Sequence, residues 1–111
     1  MATILSNTDI SAILDQRGPM SMLDRVQINS DFSGALGVKC ISMGHSCFQG
    51  HFPGAPILPG VLQVAALSQA AGVLLKQEEG APADSVPLIE EICKFKFRKP
   101  VMPGDLLRVE E

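Results

Sequence analysis

No stretch of this sequence reaches the roughly 18 consecutive apolar residues that a membrane-spanning helix needs. The opening MATILSNTDI has no basic segment ahead of its apolar run, and that run is too short for a secretory signal. Cysteine is scarce. Cys40, Cys47 and Cys93 are odd in number and contain no C-x-x-C pair, which argues against a disulfide framework. The expectation from these absences is a reduced, soluble, cytoplasmic protein. A basic excess is lacking too: the formal net charge is -3, and the one concentration of cations is Lys94, Lys96, Arg98 and Lys99. Nothing in that balance calls for nucleic acid or a membrane as partner. Internal repeats and low-complexity segments are also missing.

What is present suits one compact core. Hydrophobic residues make up 46% of the 111 positions and charged residues 19%. That composition can bury a core, and the length suffices for a single domain over residues 1–111. Residues 7–16 begin with capping residues, carry Ile10, Ile13 and Leu14 at helical spacing, and end at Gly18-Pro19. A strand is expected in 20–28, then a turn over NSDFSG, then a second hairpin strand over 35–42 with Leu36, Val38 and Cys40 on one face. The segment LIEEICKFKFRKP alternates after Glu91, with Ile92, Lys94, Lys96 and Arg98 on one side and Cys93, Phe95 and Phe97 on the other. This predicts a half-buried strand with a basic outer face. VMPGD reads as a turn and LLRVEE as the start of a further strand.

Between the hairpin and that strand lies the most informative region. Residues 43–60 hold four glycines and three prolines, too long a connection to be ordinary, which marks a functional loop. It leads into GVLQVAALSQAAGVLLKQ, whose alanines and glycine and lack of charge before Lys76 predict a helix buried nearly all round. The pattern as a whole is α+β, one buried helix against an antiparallel sheet.

His51 sits in that loop. Histidine exchanges protons near neutral pH, and an apolar setting favours its neutral, basic form. The amides of Gly60 and Val61 open the helix as free donors at the positive end of its dipole, suited to a carbonyl oxygen or oxyanion. A base beside such donors suits proton abstraction next to a carbonyl. A lone histidine in a loop can equally serve only to bond the loop backbone. Cys40, His45, Cys47 and His51 match no standard zinc-ligand spacing, and neither a metal nor a cofactor is expected.

The stretches FQGHFPGAPILPGV, LSQAAG and FRKPVMPGD together resemble the 3-hydroxyacyl-[acyl carrier protein] dehydratases of the FabZ type, which have the hotdog fold. ILDQRGPMSMLDRV, residues 13–26, resembles the N-terminal segment of that family. The resemblance implies a sheet wrapped round the helix at about 60–76, with two chains side by side and the active-site tunnel at their interface. His51 would handle the C2 proton and Gly60 would polarise the thioester carbonyl. Substrate would lie against Phe48, Phe52, Pro59, Val61, Ala65 and Gln69. Lys94, Lys96, Arg98 and Lys99 would meet the carrier, an acyl carrier protein or coenzyme A. The implied assembly is a homodimer or higher, such as a trimer of dimers, or a hetero-oligomer with an active paralogue.

Three departures accompany the resemblance. The family's second catalytic residue is a glutamate contributed by the neighbouring chain, and its position here is Ala65. A positioned acid or base contributes roughly 10²–10⁴-fold, or about 3–5 kcal/mol of barrier, and alanine supplies none of it. Gln69 stands one turn further on the same face and could hold a water; Asp24, Glu90 and Glu91 are the other carboxylates in question. The chain has no tyrosine, so the family's aromatic gate cannot come from its usual position, where Phe48 or Met20 would substitute. It also stops at Glu111, where the family continues for about two strands, which implies a short form completed by a partner or an incomplete sequence. Three functions are therefore open: a dehydratase forming trans-2-enoyl thioesters in fatty acid metabolism, with its acid position vacant; a non-catalytic acyl or carrier-protein module or inactive partner subunit; and a hotdog thioesterase.

Overall fold

A computed structural model of the chain describes residues 3–77 and 89–111. Four strands, β1 (Thr3–Ser6), β2 (Arg25–Ile28), β3 (Ala35–Cys40) and β4 (Leu106–Glu110), form one antiparallel sheet in the order β1-β2-β3-β4. Two helices accompany it, α1 (Asn7–Ile13) and the long α2 (Gly60–Gln77), with single 3-10 turns at Gly18–Met20 and Ser46–Gln49.

The sheet is built round a tight hairpin. Ile28 pairs with Ala35 and Arg25 with Val38, and β3 then carries β4 through Leu36 opposite Glu110 and Cys40 opposite Leu106. Val26 and Ile28 of β2 are fully buried while Arg25 and Gln27 face out, the alternation of a strand with one face on a core. That core joins Met22, Leu23, Val26, Ile28 and Val109 to Ala66, Ala70 and Val73 of α2. Small residues on α2 let the sheet come close. At Gly37 an added β-carbon would stand 2.7 Å from Val109 Cγ2, 2.9 Å from Leu23 Cδ2 and 3.3 Å from Ala70 Cβ. This position admits glycine because strand and helix nearly touch there.

Several expectations need correction. The first helix starts on a capping box, Ser6 and Asp9 bonding each other's backbone amides, but it ends at Ile13 rather than at residue 16. There the backbone turns extended at Leu14, and Arg17 reaches back to the carbonyls of Leu14 and Gln16. The strand expected in 20–28 is confined to β2, since residues 18–20 form a 3-10 turn and Met22 and Leu23 are both buried. In β3 Leu36, Val38 and Cys40 do share one face, and the face turned to the core is that of Ala35 and Gly37. Residues 89–99 are not a strand: no ladder holds them, and Cys93, Phe95 and Phe97 are exposed along with Lys94, Lys96 and Arg98. A strand needs a hydrogen-bonded neighbour, and the described ladder β1-β2-β3-β4 does not include this segment. Strand β1 was not expected at all. Nor is α2 buried all round, for Val61 and Leu75 face outward.

Candidate active site

The loop carrying His51 is stiffened by its own backbone bonds. Phe52-Pro53-Gly54-Ala55 makes a tight turn, with Ala55 N–H donating to the Phe52 carbonyl at 2.9 Å and Gly54 at φ +76°. Proline followed by a left-handed glycine is the pairing such a turn requires. Outside it, Ile57 N–H donates to the His51 carbonyl at 3.0 Å, and Leu58 N–H donates to the Val101 carbonyl at 2.7 Å. A segment rich in glycine and proline thus becomes a closed frame that delivers the chain to Pro59 and the start of α2.

Within that frame His51 Nδ1 lies 2.9 Å from the Ile57 carbonyl oxygen. A carbonyl only accepts, so Nδ1 carries a proton, and the neutral tautomer that this bond selects has its lone pair at Nε2. The histidine therefore does bond the loop backbone, and that bond fixes its tautomer as a base. The half-buried ring stacks on Phe52, centroids 4.0 Å apart. His51 shares a cavity of about 370 Å³ with Gly60, Gln63, Phe97, Arg98 and Lys99, among others. No acceptor among the described residues binds the amides of Gly60 and Val61, while the Pro59 carbonyl takes the next two, Leu62 at 3.0 Å and Gln63 at 3.3 Å. His51 and Gly60 thus share one cavity at a helix start whose first amides lack acceptors, an arrangement that can remove a proton next to a carbonyl and stabilise the resulting oxyanion.

The other expected residues are placed variously. Val61 is 71% exposed beside this cavity, and Pro59 is half-buried under the helix start. Phe48 is only 3% exposed and belongs to the core, where it cannot gate an entrance; Met20 is exposed. Ala65 packs against the core and its carbonyl accepts the Ser68 hydroxyl at 2.9 Å. Gln69 is 4% exposed and fully engaged: Oε1 accepts Met22 N–H at 2.8 Å and Nε2 donates to the Met20 carbonyl at 2.7 Å. Neither Ala65 nor Gln69 lines the His51 cavity; Gln69 instead borders a second cavity of about 370 Å³, between α2 and the segment after α1. Of the four cations, Arg98 and Lys99 reach the His51 cavity and Lys94 and Lys96 do not.

The carboxylates do not fill the vacancy in this cavity. Asp24 accepts Cys40 N–H at 2.7 Å and stands 3.8 Å from Lys39 Nζ, and Glu90 and Glu91 are exposed away from the lining. Among the described residues no group of three or more His, Cys, Asp or Glu could hold a metal ion. The sequence reading missed Ile57, Leu58, Gln63, Phe97 and Pro100 of the lining. Gln63 carried a signal, being the one polar side chain in the first two turns of α2. Phe97 carried a misleading one, because its alternation assigned it to a buried strand face.

A long helix lying across an antiparallel sheet, with a histidine loop feeding its N-terminus, defines a hotdog domain. The chain belongs to the FabA-like family, whose model, described as a FabA-like domain, matches residues 14–110. Its relatives include proteins named 3-hydroxyacyl-[acyl-carrier-protein] dehydratase FabZ. The one from Koribacter versatilis is 43% identical over 107 residues, covering 96% of this chain and 69% of that protein. One from Bradyrhizobium sp. is 44% identical over 107 residues, covering 92% and 70%, and one from Geobacter metallireducens 39% over 111 residues, covering 99% and 74%. No helix among the described residues is long and apolar enough to cross a membrane.

Proposed function

We propose that this chain is a 3-hydroxyacyl-thioester dehydratase of fatty acid biosynthesis whose own proton-donating partner is missing. The observation that carries the reading is His51, its Nδ1 tied to the Ile57 carbonyl and its ring on the cavity that Gly60 also lines. Nε2 takes a proton from C2, the Gly60 amide holds the carbonyl oxygen as negative charge gathers there, and the C3–O bond breaks. The departing hydroxide needs a proton to leave as water. At the position where the family places the donor stands the Ala65 methyl, so elimination in this chain is slow. Arg98 and Lys99 on the same cavity suit the phosphates of a thioester carried by acyl carrier protein or coenzyme A.

The reading includes a single hotdog unit over residues 1–111, working in the cytoplasm as at least a dimer. Supporting the assembly are large apolar side chains left in the open, Val61, Leu75, Phe95 and Phe97 among them. Ala65 also favours a second reading, an inactive subunit that contributes its His51 cavity to a partner bearing the glutamate.

The test is turnover of a crotonyl or 3-hydroxybutyryl thioester, followed by the enoyl absorbance. Wild type is expected to be slow, and Ala65→Glu to gain about 10²-fold or more. That gain should vanish in Ala65→Glu/His51→Ala. Wild-type turnover that survives His51→Ala overturns the assignment of the base. An Ala65→Glu chain that stays silent alone but is active when mixed with a glutamate-bearing paralogue selects the second reading. A strict monomer by native mass measurement counts against both.

A further inference from the structure

The His51 cavity contains a polar group that neither the base nor the oxyanion role uses. Gln63 is half-buried and lines the cavity with His51 and Gly60, and its Nε2 donates to the Leu58 carbonyl at 3.3 Å. Leu58 is itself held by Val101 at 2.7 Å, so the carboxamide is anchored to a fixed point of the frame. With the nitrogen committed, the group's remaining capacity is chiefly its oxygen, and Oε1 has no donor among the described residues. No buried polar side-chain atom among those residues lacks a partner, so this unpaired oxygen is open to the cavity or solvent rather than sealed in the core.

We infer that Gln63 binds the C3 hydroxyl of the substrate, accepting its hydrogen bond at Oε1 and setting C3 relative to His51. This rests on the dehydratase reading above and deepens it. A 3-hydroxyacyl thioester presents three polar features at its reacting end: a C2 proton that needs a base, a carbonyl oxygen that needs donors, and a C3 hydroxyl that needs an acceptor. The cavity offers one neutral group for each, in His51 Nε2, the Gly60 amide and Gln63 Oε1. The order matches as well. Gln63 follows Gly60 by three residues, on the same side of α2 and about 4.5 Å further along its axis. The hydroxyl carbon lies two carbon–carbon bonds beyond the carbonyl carbon. Arg98 and Lys99, the other polar side chains of the lining, offer donors only and cannot replace the acceptor. Gln63 holds the leaving group without protonating it, which fits a site that binds hydroxyacyl thioesters and turns them over slowly.

Butyryl-coenzyme A and each enantiomer of 3-hydroxybutyryl-coenzyme A differ by one hydroxyl group, and their dissociation constants from wild type, Gln63→Leu and Gln63→Met decide the matter. Wild type is expected to prefer one hydroxy enantiomer over butyryl by about 3- to 10-fold, the contribution of one hydrogen bond. Both variants should bring that ratio to about one while keeping butyryl affinity within about twofold. A general loosening of the site would lower both affinities and leave the ratio alone. A wild-type preference retained in both variants overturns the role of Gln63 and leaves the dehydratase reading standing. Failure of wild type to bind any of the three thioesters overturns both.

Discussion

The ring of Phe97 lies over Gly60: a β-carbon at residue 60 would stand 2.8 Å from its Cζ and 3.0 Å from both Cε atoms. The start of α2 is glycine here because an aromatic ring from the 89–99 segment occupies the space a side chain would need. The same ring lines the His51 cavity, so Phe97 stands beside the residue whose amide we propose as the oxyanion donor. It is 56% exposed and sits outside any strand, so it can move at little cost.

Gly60→Ala should therefore displace the ring rather than unfold the protein. The expected change in unfolding free energy is below about 1 kcal/mol, because the neighbour that must give way is at the surface. In fluorophenylalanine-labelled protein the Phe97 resonance, identified by its loss in Phe97→Leu, should shift in Gly60→Ala. The resonance of the buried Phe48 should stay where it is. A Phe97 signal indifferent to residue 60 would mean that the ring does not rest on Gly60 in solution.

Gln69 makes the opposite kind of prediction. Its amide clasps the backbone on both sides of Ser21, taking Met22 N–H and giving to the Met20 carbonyl from a position 4% exposed. Gln69→Leu keeps much of the volume and strands both backbone groups. Since an orphaned buried group costs about 1–3 kcal/mol and Met20 is itself at the surface, the expected loss is about 2–3 kcal/mol in urea unfolding. A loss under about 0.5 kcal/mol would show that water replaces the amide there, and that Gln69 is free for another role.

The parts of the fold legible in the sequence are those set by local chemistry. The glycine-proline loop and a helix without charge before Lys76 specify α2 almost to the residue, because turn geometry and helix starts depend on neighbours in sequence. The hairpin of β2 and β3 is legible for the same reason. Pairing between distant segments is not. Strand β1 exists because Thr3 and Leu5 find Ile28 and Val26 across the sheet, and four residues carry too little pattern to announce that. Phe95 and Phe97 alternate as a strand should, yet alternation cannot say whether an edge is available to pair with. Which face of β3 meets the core is not legible, because Gly37 counts as apolar burial only when its close contact with Ala70 is known. At the site, His51 and Gly60 were legible through a motif. The engagement of Gln69 with Met20 and Met22 depends on a contact spanning nearly 50 residues and was not.

The cysteines give a prediction in reactivity. Burial pushes the Cys47 thiol up from its ordinary value, outweighing the opposing bond from its own backbone amide, whereas Cys40 is exposed at the end of β3. A raised value means less thiolate at any pH below it, and the thiolate is the nucleophile. Iodoacetamide at pH 8 should therefore modify Cys40 severalfold faster than Cys47, read by peptide mass spectrometry over time. The gap should narrow as pH rises, because the Cys47 thiolate fraction then climbs. Equal rates at pH 8 would contradict the burial of Cys47.

The contact between Gly37 and α2 decides how closely the sheet holds the helix that carries the site. A methyl added at residue 37 meets three neighbours of different compliance. Val109 Cγ2 and Leu23 Cδ2, at 2.7 and 2.9 Å, are the ends of side chains that can rotate away. Ala70 Cβ, at 3.3 Å, is fixed to the helix backbone, so relief there requires α2 itself to move. Gly37→Ala should cost about 1–3 kcal/mol, the usual penalty for overfilling a packed core. Ala70→Gly alone should cost about 1 kcal/mol through helix propensity. Combined, the two should cost less than their sum by at least about 0.5 kcal/mol, because the second removes the atom that the first displaces. Strict additivity in that cycle would place the resistance in Val109 and Leu23 and free α2 from the constraint. A measured coupling would instead make Gly37 the point through which the sheet sets the height of α2, and with it the position of Gly60 beneath Phe97.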